Sequence, residues 1–203
     1  MSFTILTIIL IVTIGISLSL MNNEEVKNKW MFIPYLCSTQ KEVYRIFSHL
    51  FIHADLQHLA FNMISLYFLG EILEVELMQQ FGILNGEIYF LFLYFGGGLF
   101  ATLIPYVRNH ANYSYRSLGA SGAVSSVVFA FIIWNPFADL VVMIIPMKAW
   151  IFGILYLAFE IWNDKRGGTG VAHDAHIGGA IFGVFFILII NIEKGKELLN
   201  LVL

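Results

Sequence analysis

The chain has 203 residues, of which 59% are hydrophobic and 12% charged, with a formal net charge of −3. Charged residues make up about a quarter of an ordinary soluble domain, so a water-soluble globule of this size could not cover so much apolar surface. The composition indicates a membrane protein, and a pI near 6.0 excludes the basic face that a nucleic-acid partner requires. One cysteine, Cys37, excludes an internal disulfide and any CxxC metal or redox motif. No linker or internal repeat divides the chain, which reads as a single domain over residues 1–203.

A bilayer core of about 30 Å takes roughly 20 mostly apolar helical residues to cross. Met1–Asn23 carries no charge and lacks a basic n-region, so it reads as a retained first span rather than a signal peptide. Asn22–Ala54 follows, with Trp30, Phe32, Pro34, Tyr35, Tyr44 and Phe47, a content suited to a long loop lying in the membrane interface. The second span starts at Asp55, a candidate N-cap, and its apolar part ends at Gly70, before Glu71, Glu74 and Glu76. Ile88–Val107 forms the third, and Ser117–Ala138 contains the fourth, which Pro136 ends. The fifth lies within Leu140–Asn163, where Pro146 and Lys148 make Leu140–Ile145 an interfacial segment. Asp174–Asn191 is the sixth. Spans of this length are helices, so the fold class is an all-α membrane protein.

Polar side chains inside spans are functional candidates, because lipid makes each one costly. His58 and Asn62, four apart, share one face of the second span, where two stacked donors can hold an oxyanion or serve as interhelical glue. His49, His53 and His58 raise a zinc site. However, His53 and His58 stand about 140° apart on a helix and HExxH is absent, so no metal is expected. Ser121, within Gly119-Ala-Ser121-Gly122, begins the fourth span, where free backbone N–H groups gather. That run of small residues also suits plain helix packing. His176 begins the sixth, and Gly179 and Gly183 follow on its side as a GxxxG face. Such a face admits a small-residue helix, and the fourth span is the obvious partner, which would bring His176 to Ser121.

Together these groups resemble the rhomboid family, from about Tyr44 to Gly183. The pattern His-x4-His-x3-Asn matches His53, His58 and Asn62; GxSG matches Gly119 to Gly122; Ala-His-x2-Gly-x3-Gly matches Ala175, His176, Gly179 and Gly183. The resemblance implies a six-transmembrane-helix bundle with a long interfacial loop between the first two helices. It implies Ser121 as nucleophile and His176 as general base, with His58, Asn62 and the Ser121 N–H as oxyanion hole. Arg45, His53, Glu74 and the four motif glycines would be structural. Two residues depart from the pattern. Tyr44 stands where the family usually has Trp, and Ser125 where an aromatic ring often packs on the base.

The expected activity is that of an intramembrane serine endopeptidase, cutting in or near transmembrane helices of membrane-protein substrates, in the cell membrane and without cofactor. Serine needs a neighbouring base to attack. The alternative is a pseudoprotease of the same family that binds membrane helices without cutting. A transporter would place its ionisable groups at the midplane rather than near helix ends. Lys27, Lys29, Lys41, Arg45, Arg108, Arg116, Lys165 and Arg166 lie on the active-site side, against Lys148, Lys194 and Lys196 opposite. The positive-inside rule therefore puts that side in the cytoplasm, whereas the family resemblance, followed here, opens it outward. Asp174, two residues from His176, lies about 200° round the helix and reads as a cap. With no other carboxylate near in sequence, a Ser-His dyad is expected.

Overall fold

The computed structural model describes residues 4–142 and 144–199. The first helix, α1 (Ile5–Leu20), is capped by Thr4, whose hydroxyl accepts from the Thr7 N–H at 3.3 Å. The first three residues of the predicted span lie outside the described residues. The long loop then folds into α2 (Glu24–Trp30), α3 (Pro34–Thr39), α4 (Arg45–Ser48) and a 3-10 turn, His49–Phe51. Arg45 holds this loop together. Its Nη1 donates to the Asn28 and Met31 carbonyls at 2.7 and 3.0 Å, and its Nε pairs with Glu42.

Helix α5 (Leu56–Phe81) is capped by Asp55, which accepts from the His58 N–H at 2.8 Å. It runs about three turns past Gly70, where the apolar stretch stops. Leu73 and Leu77 bury themselves there, and the buried Glu74 carboxylate accepts from the Leu6 N–H of α1 at 2.9 Å. A carboxylate inside the span thus satisfies an orphan donor of another helix. The third span is broken into α6 (Ile83–Ala101) and α7 (Leu103–Asn109) at Thr102, whose hydroxyl donates to the Leu99 carbonyl. Helix α8 is Ser121–Trp134, and α9 is Ala149–Arg166. Helices α10 (His173–Ile190) and α11 (Ile192–Leu199) complete the chain. The all-α expectation needs one correction. Asp139–Val142 (β1) and Ile145–Lys148 (β2) pair as an antiparallel hairpin, where the sequence suggested an interfacial segment over Leu140–Ile145. Along β1, Asp139 and Val141 are exposed while Leu140 and Val142 are half-buried, an alternation that suits a strand at an interface.

Helix α8 is the centre of the molecule: every residue from Gly122 to Trp134 is buried. The helices around it turn large apolar side chains outward, among them Ile11 and Leu18 of α1, Phe68 of α5, Phe92 of α6, Ile154 of α9 and Phe185 of α10. Such a rim would be an aggregation surface in water and is an ordinary one in lipid. By length and composition, Ile83–Asn109 and His173–Ile190 can cross a membrane, while α1 and α8 are shorter apolar helices.

Glycine allows the closest packing. A Cβ on Gly179 would overlap the Gly122 carbonyl, and one on Gly183 the Ser126 carbonyl, so α10 lies backbone to backbone on α8. On the other side, a Cβ on Gly97 of α6 would strike the Ser126 side chain. Gly179→Ala is therefore expected to force α8 and α10 apart, at a cost of about 1–3 kcal/mol or more. Its Tm in detergent should fall, whereas Gly15→Ala, whose new Cβ meets nothing, should melt with the wild type. Equal melting of the two variants would show that the helix contact yields.

Candidate active site

Ser121 is the first residue of α8, and Gly119 makes that start possible. Its φ of +114° belongs to glycine, and a side chain there would run into the His58 ring. The Gly119 N–H donates to the His49 carbonyl at 3.0 Å, fixing the turn to the long loop. The Ala120 N–H donates to His53 Nε2 at 3.3 Å, so the His53 proton sits on Nδ1 and points to Ser17 Oγ, 3.1 Å away. Burial pushes His53 down to about 3, which keeps it in the neutral form these bonds need. Val124 is the first residue to bond back along α8, to the Ala120 carbonyl, leaving the N–H groups at Ser121 and Gly122 at the open helix end.

The packing of α10 on α8 brings His176 Nε2 to 2.7 Å from Ser121 Oγ, across 55 positions of sequence. Both line a cavity of about 630 Å³ together with His58, Asn62, Tyr156 and Gly170. Asn62 is buried and its Nδ2 donates to the His58 carbonyl at 2.9 Å, which uses one of its two amide protons. His58 stacks edge-on against His53. The apolar wall of the cavity comes from Phe61 and Leu69 of α5 and Phe152 of α9. The site thus has a hydroxyl hydrogen-bonded to an imidazole, beside two side chains with donors and an open helix N-terminus. It can support nucleophilic attack with proton transfer to nitrogen.

Two features went unseen in the sequence. Glu160 of α9 is buried, with Oε2 at 2.5 Å from His173 Nδ1 and 3.1 Å from His176 Nδ1. The sequence near His176 offers no such carboxylate, and a separate helix brings this one beside it. A signal was present, since Glu160 is the sole charge in the apolar stretch Ala149–Asn163. Tyr156, one turn earlier on α9, shares a 2.7 Å hydrogen bond with Ser125, the residue that departs from the family pattern. Asp174 also differs from its expected place. His173 begins α10 with Ala172 at the N-cap, and Asp174 is the second helical residue. Its carboxylate accepts from the Ala175 N–H at 2.9 Å, still serving the first turn, and faces Tyr115 and Arg108.

Fold and site together define a mostly helical integral membrane protein with a serine–histidine pair at the end of its buried central helix. The rhomboid domain family profile matches residues 40–192, and the chain belongs to the rhomboid family. It is 31% identical over 159 residues to RHOMBOID-like protein 12, mitochondrial, of Arabidopsis thaliana, covering 72% of this chain and 45% of that one. It is 30% identical over 142 residues to the Presenilin-associated rhomboid-like protein, mitochondrial, of Homo sapiens, covering 68% and 35%. Rhomboid protein 1, mitochondrial, of Saccharomyces cerevisiae is 27% identical over 196 residues, covering 91% and 54%. The chain spans between about a third and a half of the length of these relatives.

Asp174→Asn keeps the acceptor for the first turn of α10 and does not touch His176, so it should retain most of whatever activity the pair supports. A triad aspartate changed this way loses about 10⁴ in kcat. Comparing the two proteins at equal folded concentration checks this, and a fall of that size would give Asp174 a part in the site.

Proposed function

We propose that this chain is an intramembrane serine endopeptidase that hydrolyses peptide bonds in or near transmembrane helices of membrane-protein substrates. The observation that carries the reading is the 2.7 Å contact of Ser121 Oγ with His176 Nε2 inside a cavity shared with His58 and Asn62. Ser121 attacks the scissile carbonyl carbon while its proton passes to His176 Nε2. The negative charge moving onto the carbonyl oxygen is held by Asn62, His58 and the Ser121 N–H. The C–N bond breaks, the amine leaves with the proton from His176, and water activated by the same imidazole releases the acyl group.

In this reading the chain is one domain of six spans: α1, α5, the broken α6–α7, α8, α9 and α10. Helix α8 is about 21 Å long, shorter than the bilayer core, so Ser121 at its end lies below the membrane surface. The cavity above it brings water to that depth, and the apolar wall between α5 and α9 offers a substrate helix a way in from lipid. Helical substrates must unwind locally to expose a carbonyl, which favours Gly or Pro near the cut. We place the protein in the cell membrane with the cavity facing outward; the mitochondrial names describe the relatives.

Ser121→Ala and His176→Ala should each abolish cleavage of a transmembrane reporter, and a fluorophosphonate should label the wild type at Ser121 but neither variant. A folded Ser121→Ala protein that cleaves at the wild-type rate would defeat the proposal. Labelling of the wild type without cleavage of any membrane reporter would leave a reactive serine in a helix-binding protein.

The oxyanion assignment makes a separate prediction. Asn62→Ala and His58→Ala should each slow cleavage by about 10²–10³, the usual worth of one such donor. Fluorophosphonate labelling of Ser121 should persist in both, more slowly. Normal cleavage by either variant would return that residue to a packing role.

A further inference from the structure

Glu160 lies behind His176 on the side away from Ser121, and its role rests on the protease reading just given. The carboxylate is 4% exposed, carried into the interior by an apolar helix where an unused charge is costly. Its Oε2 faces two imidazole nitrogens at once, His173 Nδ1 at 2.5 Å and His176 Nδ1 at 3.1 Å. His173 is held in turn by Thr169, whose Oγ1 lies 2.8 Å from His173 Nε2. We infer that Glu160, braced by His173, is a positioning residue for the base, making the working constellation Ser121–His176–Glu160.

The proton inventory allows one consistent assignment. A carboxylate accepts only, so both Nδ1 atoms facing it carry protons. His173 Nε2 is then bare and takes the Thr169 hydroxyl proton. His176 Nε2 is likewise bare and takes the Ser121 hydroxyl proton, the tautomer a general base requires. His176 Nδ1 is buried and has no well-aligned hydrogen bond among the described residues, so its N–H points somewhat off Oε2. Resting catalytic hydrogen bonds are often loose and tighten when charge develops. When the serine proton arrives, the imidazolium forms beside a buried negative charge that favours it. A shared metal ion fits the same three residues less well. Ligand atoms about 2.0–2.2 Å from one tetrahedral zinc stand about 3.3 Å apart. The 2.5 Å separation of His173 and Glu160 is a hydrogen-bond length.

The test compares wild type, Glu160→Gln, Glu160→Asp and Ser121→Ala on one transmembrane reporter across pH. Glu160→Gln should lose about 10³–10⁴ in kcat with KM within about threefold, and fluorophosphonate labelling should slow in parallel. The acid limb of kcat/KM reports the free base, and it should move to lower pH once the carboxylate no longer favours the imidazolium. Glu160→Asp, which keeps the charge, should recover part of the rate and return the limb toward the wild-type position. A purely structural carboxylate would lower Tm and yield without moving that limb, and this result overturns the inference. So does a folded Glu160→Gln enzyme with wild-type kcat alongside an inactive Ser121→Ala, which would leave the dyad intact without its carboxylate. Cleavage by Ser121→Ala would instead defeat the protease reading itself. Should Glu160→Gln fail to fold, NMR of the wild type with labelled histidine decides. A His176 Nδ1 proton that moves far downfield when the imidazole is protonated, absent from His176→Ala, supports the carboxylate contact, and one that stays at an ordinary position on protonation overturns it.

Discussion

Helices α8 and α10 meet through glycine on one side and bare carbonyls on the other, with no space for a methyl group at Gly179 or Gly183. Lipid tails are as apolar as leucine, so burial alone gives two helices little reason to associate, and close backbone packing has to supply the attraction. This contact also sets the chemistry. His176 sits one turn before Gly179, and Ser121 one residue before Gly122, so the closest points of the two backbones lie beside the two side chains. A looser helix pair would retain both residues and separate them beyond hydrogen-bond reach.

The remaining elements hold the start of α8 at the correct height. Its N-terminus is anchored through the Ala120 N–H on His53 and the Gly119 N–H on the His49 carbonyl. His49 opens the turn after α4 and His53 follows two residues beyond it, on a loop itself braced by Arg45. Ser117 pairs through its backbone with Phe32, adding a second tie between loop and helix. The long loop between the first two spans is therefore part of the scaffold of the site, which explains how it can be rich in aromatic residues and still be ordered.

Much of this was legible in the sequence because lipid simplifies the code. Apolar runs mark the spans, and a polar residue within one stands out. The pattern around His58, Asn62, Ser121 and His176 could be read residue by residue. What remained hidden was of two kinds. The hairpin at β1 and β2 was missed because short interfacial segments have no helical length to betray them, and Pro146 suggested a helix boundary rather than an exposed strand position. The reach of α5 to Phe81 was not marked in the sequence, where the apolar part ends at Gly70 and the glutamates that follow looked like the membrane surface, yet Glu74 is buried against the first turn of α1. Glu160 was missed for a different reason. The residues near His176 in sequence offer it no carboxylate, and a neighbouring helix supplies one.

Helix α9 answers the one departure that bears on the base. Ser125, one turn after Ser121, is too small to pack against an imidazole, and a histidine held only on its serine side would be free to turn. Tyr156 of α9 closes on Ser125 through its hydroxyl and lines the same cavity as His176. One turn further along the same face, Glu160 meets the far side of His176. The i, i+4 spacing means both arrive together whenever α9 is seated, so the orientation of His176 depends on α9 rather than on α8. Helix α9 touches α8 over a short length, Gly153 lying against Ile132 and Phe129, and otherwise turns Ile154, Phe159 and Trp162 outward. On the proposed reading, His176 is thereby tied to a helix that also forms one wall of the cavity. Under the same proposal, a substrate helix that displaced α9 would disturb Glu160, and through it His176, so productive binding would have to leave the C-terminal turns of α9 in place.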